Sequence, residues 1–274
     1  MQIAYDKMHG CGNDYIFINE LNTPMEMDKK TLVIKMCHRN YGVGADGVIF
    51  VKRSNVADFE MEMYNGDGSR GEMCGNGIRC LAKYVADRGE IKGDDMTVSS
   101  FSVVYPIKVK RDNSGKVVTV KVSFPIPTPC FKEMEQCISV CDNEYILSCV
   151  SVGNPHAVLF VEEIRDVPVD RIGPKIENHS IFKNRTNVEF VEVTDKEHIK
   201  IRVWERGSGE TLACGSGSIA AAWICMCKGL TGHEVSVTLR GGELRVKYLP
   251  DNNCIVLEGP AVHICSGIYE YANG

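Results

Sequence analysis

Two cysteines in this chain stand where a thiol could do acid–base work. Cys74 lies in NGDGSRGEMCGNGIR (Asn65–Arg79) and Cys214 in ERGSGETLACGSG (Glu205–Gly217). Each is followed at once by Gly-x-Gly and then by residues at helical spacing. A helix N-terminus leaves backbone N–H groups unpaired and carries partial positive charge. A cysteine placed there has its thiolate within reach near neutral pH. The same N–H groups can hold a carboxylate, and glycine lets backbone approach it closely. Two such thiols flanking one bound carboxylate suit a particular reaction. One thiolate removes the proton α to the carboxylate, and the opposite thiol returns a proton to the other face. That is racemisation or epimerisation by two bases, with N–H donors stabilising the enolate-like charge that develops.

The elements that must position these thiols occur twice. The cysteines are 140 residues apart, and their surroundings repeat at nearly that offset. Glu60–Tyr64 alternates polar and apolar as Lys200–Trp204 does. Gly12-Asn13 precedes the apolar run Tyr15–Ile18 as Gly153-Asn154 precedes Ala157–Val161, and Gly47 leads into Val48–Val51 as Asn187 leads into Val188–Val191. After Cys74, residues Ile78, Leu81, Ala82 and Val85 fall at i, i+3, i+4 and i+7, with Gly89 as a stop. The second such helix is expected to run to about Lys228, with Gly229 as its stop. Asp28 is expected to cap a further helix reaching Arg39. Strands over Met96–Ser100, Val103–Val109 and Val117–Phe124 answer those over Glu234–Leu239, Glu243–Tyr248 and Cys254–Glu258. Pro125–Pro129 (PIPTP) reads as the linker. The expectation is an α+β chain of two pseudo-symmetric domains, 1–124 and 125–261. Each is a bent, antiparallel-rich sheet or barrel around a central helix, with the active site in the cleft between them. Residues 262–274 have no counterpart in the first half and are expected to return and complete the first domain's sheet.

Composition excludes several classes. A net charge of −5 leaves no basic footprint for nucleic acid. No apolar run approaches bilayer length, and MQIAYDKMHG lacks the pattern of a signal peptide, so no membrane partner and a cytoplasmic location are expected. Thirteen cysteines, an odd number, then meet a reducing compartment and form no complete disulfide framework. No paired C-x2-C spacing points to zinc, so no metal is expected. The eleven cysteines other than Cys74 and Cys214 read as buried packing residues.

Six stations in order identify a resemblance. HGCGND (His9–Asp14), GADG (Gly44–Gly47), the Cys74 stretch, GNPH (Gly153–His156), Thr186-Asn187 and the Cys214 stretch resemble the diaminopimelate epimerase family over essentially the whole chain. The resemblance implies interconversion of LL- and meso-diaminopimelate in lysine and peptidoglycan-precursor biosynthesis, without pyridoxal phosphate, metal or any other cofactor, and is compatible with a homodimer. By matching position it implies that Cys74 and Cys214 are the acid–base pair. The backbone N–H groups of Gly75, Asn76, Gly215 and Ser216 would hold the carboxylate at the reacting centre, and Asn13 would line that end. Asn65, Asn154, Asn187 and Arg206 would hold the distal carboxylate, and Glu205 the distal amine. Adjacent Glu205 and Arg206 also suit a zwitterionic terminus on charge alone, since arginine grips a carboxylate through two N–H groups. His156 is either a relay that helps a thiol lose its proton or a histidine that stabilises its turn. The chain departs from some relatives at Gly47, where they carry Gln, so only backbone is offered there.

Other readings separate on these residues. A racemase of the same fold acting on another amino acid, such as proline, would have no distal zwitterion for Glu205 and Arg206. Phenazine-biosynthesis-type isomerases share the architecture without this cysteine pair. A thiol–disulfide protein would carry Cys-x-x-Cys in one reactive site. A binding module would hold an amino acid without exchanging its α-proton.

Overall fold

The computed structural model describes residues 1–71, 73–101, 103–141 and 143–271. The chain divides into two compact units, one of Met1–Val122 together with the residues from Gly259 onward, the other of Ser123–Glu258.

In the first unit β1 (Gln2–Gly10) turns into β2 (Asn13–Glu20), followed by α1 (Lys29–Cys37), β3 (Gly47–Arg53), β4 (Phe59–Asn65), α2 (Gly75–Ala86), β5 (Asp95–Ser100), β6 (Val103–Arg111) and β7 (Val117–Pro125). β2 pairs with β3, and β4 with β5, in parallel, each pair bridged by a helix as a parallel connection requires. The β1–β2, β3–β4, β5–β6 and β6–β7 pairs are antiparallel.

β2 and β3 read as nearly continuous apolar runs because both of their faces are covered. Ile16, Ile18, Val48 and Phe50 pack on Leu32, Val33, Met36 and Cys37 of α1. On the other face Phe17 stacks on Tyr84 of α2, with ring centroids 5.7 Å apart. α2 packs against β1 and β2 and also against β5 and β6. Eleven of its twelve residues are buried, so it is a central helix inside a curved sheet rather than a surface helix. The β1–β2 turn is tighter than the glycine-broken stretch expected over Lys7–Asp14. Gly10 already pairs with Asn13, and the two turn residues take positive φ, 52° at Cys11 and 86° at Gly12.

The second unit repeats this plan. β8 (Thr128–Pro129), β9 (Glu135–Val140), β10 (Asn143–Ser151) and β11 (Pro155–Phe160) lead through a 3-10 turn to α3 (Val169–Glu177). Then follow β12 (Asn187–Val193), β13 (His198–Glu205), β14 (Gly209–Thr211), α4 (Gly215–Cys227), β15 (Glu234–Leu239), β16 (Gly242–Leu249) and β17 (Cys254–Gly259). Again two pairs are parallel, β11–β12 and β13–β15. Ala157, Leu159, Val188 and Phe190 face Val169 and Ile176 of α3, while α4 packs against strands from β10 to β16. Both central helices stop where expected, with Gly89 at φ 74° and Gly229 at φ 65° just beyond them.

The terminal strand β18 (Val262–Glu270) pairs antiparallel with β1 of the first unit, from Gln2↔Glu270 to His9↔Val262. Its counterpart lies in the second unit, not in the first half of the sequence. β9 lies on β10 just as β18 lies on β1. The repeat is therefore complete in space and displaced in sequence. Four cysteines read as buried packing, Cys137, Cys141, Cys227 and Cys265, are instead exposed.

Candidate active site

Both predicted thiols are helix N-caps. Cys74 caps α2 with extended backbone, φ −126° and ψ 111°, and Cys214 caps α4 with φ −123° and ψ 117°. In each the sulfur takes the place of the usual Ser or Asp oxygen. Gly77 N–H donates to Cys74 Sγ at 3.2 Å, and Gly217 N–H donates to Cys214 Sγ at 3.4 Å. The cap thus uses the third N–H of the helix. The first two, on Gly75 and Asn76 and on Gly215 and Ser216, have no carbonyl partner inside the helix and lie at its positive end. Gly77 and Gly217 are closely packed. A β-carbon at Gly77 would lie 2.7 Å from Ile49 Cδ1, and one at Gly217 2.7 Å from Glu189 Oε1.

Around Cys74 the first unit gathers Asn13 and Asn76. Cys74 Sγ donates to Asn13 Oδ1 at 3.5 Å, and Asn76 Nδ2 donates to the same oxygen at 3.2 Å. Asn13 Nδ2 is held by Asp46 Oδ2 at 2.7 Å. The fully buried Arg79 braces the helix start, donating to Gly75 O at 2.8 Å, Asn76 Oδ1 at 2.7 Å and Pro260 O at 3.2 Å. Asn65, the last residue of β4, donates through Nδ2 to Ser69 Oγ at 3.0 Å. At Gly47 a β-carbon would run into the carbonyl oxygen of Tyr64, so this position offers only backbone here.

Around Cys214 the second unit gathers Ser216, Glu205, Thr211, Glu189, His156 and Asn154. Ser216 Oγ lies 3.5 Å from the sulfur. Contrary to the expectation of a thiolate near neutral pH, burial, with the neighbouring Glu205 and Glu189 carboxyls, pushes the Cys214 thiol well above its ordinary value, against the opposing pull of Ser216 and the Gly217 N–H. Burial also pushes the Glu205 carboxyl up, although Thr211 Oγ1 donates to its Oε1 at 2.5 Å and His156 opposes the rise. His156 is wholly buried, with Nδ1 2.7 Å from Glu189 Oε1 and Nε2 3.0 Å from Asn154 Oδ1. Asn187 ties two turns together: its Nδ2 donates to Pro155 O at 2.8 Å, and Arg206 N–H donates to its Oδ1 at 2.9 Å. Arg206 Nη1 donates to Asn184 O at 3.2 Å. Glu205 and Arg206 are therefore held by different partners.

Burial pushes the thiols of Cys37, Cys80, Cys149 and Cys225 up to about 12, which makes them inert packing groups. Among the described residues no three His, Cys, Asp or Glu side chains gather as a metal site. Two participants went unnoticed in the sequence, Glu189 and Asp46. Glu189 could have been found at the 140-residue offset, where it answers Ile49, an acid at a core position of a buried strand. Nothing in the sequence marks Asp46 as the partner of Asn13.

Known proteins match this arrangement along its length. A diaminopimelate epimerase from Leptospira biflexa is 41% identical over 281 residues, covering 98% of this chain and all of that protein. One from Methanococcus maripaludis is 39% identical, covering 97% and 99%. Among solved structures, a phenazine-biosynthesis PhzF-family protein of Bacillus anthracis superposes with a TM-score of 0.72 at 15% identity, covering 99% of this chain and 100% of that one. A hydroxyproline epimerase from Agrobacterium vitis gives 0.71 at 12%, covering 98% and 92%. At those identities the two structures speak to the fold alone. The sequence profile described as diaminopimelate epimerase matches residues 5–125 and 148–264, which include both cysteine caps, and on that match the chain belongs to the diaminopimelate epimerase family.

Proposed function

We propose that the chain converts LL-2,6-diaminopimelate to meso-diaminopimelate without a cofactor, Cys74 and Cys214 acting as thiolate and thiol on one α-carbon. The observation that carries this reading is the duplicated cap: two sulfurs in the same backbone geometry, each beside a helix start that can hold a carboxylate. One thiolate takes the α-proton while the opposite thiol gives its proton to the other face. The enzyme is left with its protonation reversed, ready for the reverse reaction or for re-equilibration with solvent. Gly75, Asn76, Gly215 and Ser216 hold the reacting carboxylate through backbone N–H groups, which stabilise the charge that moves onto it. Asn13 lines this end, its Oδ1 aimed at the Cys74 sulfur.

Arg206, Asn65, Asn154 and Asn187 serve the distal carboxylate and Glu205 the distal amine. Asn187 contributes to this indirectly as well, by holding the Arg206 backbone. His156, with both ring nitrogens engaged, supports the turn that carries Asn154. The reading is favoured over the alternative, a racemase of another amino acid, by Glu205 beside Arg206, a pair for which a substrate with one amino-acid end has no use. The reading also includes a homodimer, supported by exposed Val262, Ile264 and Ile268 on β18, and a cytoplasmic location, in keeping with the lack of any described helix long and apolar enough to cross a membrane. Sedimentation checks the former.

The deciding experiment assays LL-diaminopimelate and a panel of L-amino acids for uptake of solvent deuterium at Cα. Rapid uptake confined to diaminopimelate is expected. Equal uptake by simple amino acids would sink the assignment of substrate, and no uptake at all would sink the two-base reaction. Arg206→Ala is expected to raise KM for diaminopimelate by about 10- to 100-fold, the effect of losing hydrogen bonds to a charged group.

A further inference from the structure

Glu189 occupies a position that needs no carboxyl for packing. It is the third residue of β12, and its counterpart in β3 is Ile49. Both side chains press on the same glycine of their Cys-Gly-x-Gly turns, with an added β-carbon 2.7 Å from each. A hydrocarbon fills the place in the first unit. In the second unit a carboxyl does so at 0% exposure, with Oε2 making no hydrogen bond among the described residues. Burying an acid in a strand core is costly unless something needs it.

What needs it is one residue away in space. His156 pairs with Asn187 across β11 and β12 as Tyr15 pairs with Gly47 across β2 and β3, so His156 and Glu189 replace Tyr15 and Ile49 together. The exchange creates a line of three groups: Glu189 Oε1 to His156 Nδ1 at 2.7 Å, then His156 Nε2 to Asn154 Oδ1 at 3.0 Å. A carbonyl oxygen only accepts, so Nε2 must carry a proton. That requires a second proton in the Glu189–Nδ1 bond, on whichever of the two atoms it rests. The consequence falls on Asn154, whose Oδ1 is taken and whose NH2 group is left to donate. Its counterpart Asn13 is tied the other way, with Nδ2 on Asp46 and Oδ1 towards Cys74. Two equivalent asparagines thus present opposite ends, one an acceptor beside the thiol, the other a donor suited to an anion.

We propose that Glu189 is a positioning residue which, through His156, fixes the Asn154 carboxamide with its N–H donors outward, making this turn a receptor for a carboxylate. The inference rests on the reading of Asn154 as a ligand of the distal carboxylate. Besides Glu189, Glu205 lies close enough to His156 to feel its charge, and the Cys130 thiol lies against its backbone. Glu189 alone is hydrogen-bonded to the ring on the Nδ1 side.

The test compares Glu189→Ile, which installs the residue of the first unit, with Glu189→Gln, whose amide can donate to Nδ1 and keep the proton on Nε2. In steady-state epimerisation, Glu189→Ile should raise KM for diaminopimelate by ~10-fold or more with kcat changed less, and Glu189→Gln should restore KM to within ~3-fold. Wild-type His156 should show a protonated Nε2 in nitrogen-15 spectra. An unprotonated Nε2, or a Glu189→Ile variant whose KM is unchanged, overturns the proposal. Thermal melts check that the Ile variant folds, and if it does not, the Gln variant and the wild-type spectrum decide. Asn154→Ala separates the two layers. An unchanged KM there sinks the reading of Asn154 itself, whereas a raised KM beside a normal Glu189→Ile sinks only the role of Glu189.

Discussion

At the scale of single residues the two thiols share a backbone geometry but not an environment. Each caps a helix through its sulfur, so replacing either with alanine removes a proton carrier and a cap together. Cys74→Ala and Cys214→Ala are each expected to lower kcat by roughly 10²- to 10⁴-fold, the usual worth of a positioned acid or base. The loss of the cap costs on the order of 1 kcal/mol of stability, which a melt registers separately. The environments differ because the second sulfur is buried beside two carboxyls, which with burial push its thiol up. The sign follows directly: the reactive thiolate of Cys214 is scarce at neutral pH and appears as the solution is made alkaline. Iodoacetamide should therefore label exposed Cys137 and Cys265 before Cys214, with the Cys214 rate climbing as pH rises above 9, as followed by peptide mass mapping. Much of this site was legible in the sequence because a cap, two glycines and a following helix are local features. The Glu189–His156 pair was not, since it joins residues 33 apart that meet only when β11 and β12 pair side by side.

At the scale of elements, α1 shows how the first unit holds a helix over polar side chains. Glu62 of β4 is nearly buried, where burial alone would raise its carboxyl. Lys29 from α1 and Lys52 from β3 outweigh that and hold it down to about 2. Their nitrogens lie 2.8 and 2.6 Å from Oε2, and Arg70 pairs with Oε1. Because the folded value lies below the ordinary 4.5, the stabilisation is fully present above about pH 4.5 and is lost as pH falls toward 2. Glu62→Gln should cost about 3 kcal/mol at neutral pH and flatten the fall in stability across that window, measured by urea unfolding at several pH values. Element boundaries elsewhere were less legible. α3 carries Gly173-Pro174 inside it, a pair that reads as a break. The helix forms because tertiary packing overrides that signal. Trp204 lies so close that a β-carbon at Gly173 would sit 2.6 Å from its Cγ, and Val169 and Ile176 are buried on the same core. β9 and β10 are hard to read for another reason: β9 alternates in burial but puts apolar Cys137 at an exposed position, and β10 sets exposed Ile146 beside the buried run Leu147–Val150.

At the scale of the whole molecule, a duplicated plan is laid into one chain with a strand out of place. The second unit is continuous, because β9 precedes β10 and the two pair directly. The first unit must wait for the end of the chain, because the strand equivalent to β9 is β18. Comparing the halves of the sequence hid this, since the matching strand of one half is attached to the far end of the other. Without the segment from Gly259 onward, the outer edge of β1 loses its ladder from Gln2 to His9, Arg79 loses its bond to Pro260 O, and the α1 core loses the cover of Tyr269 and Tyr271. A domain stable by only about 5–15 kcal/mol does not survive removal of a full strand together with two packed tyrosines. The ends are already adjacent, the Met1 amino group donating to Tyr271 O at 2.8 Å and Tyr271 N–H donating to Met1 O at 2.8 Å. Residues 123–258 alone are therefore expected to unfold cooperatively in urea, and residues 1–122 alone to lack a cooperative transition. Residues 259–271 joined to Met1 by a short Asn-Gly turn and continued to 122 should recover one, since that order gives the first unit the connectivity of the second. Cooperative unfolding of 1–122 without its borrowed strand would show that β18 decorates the first unit rather than completing it.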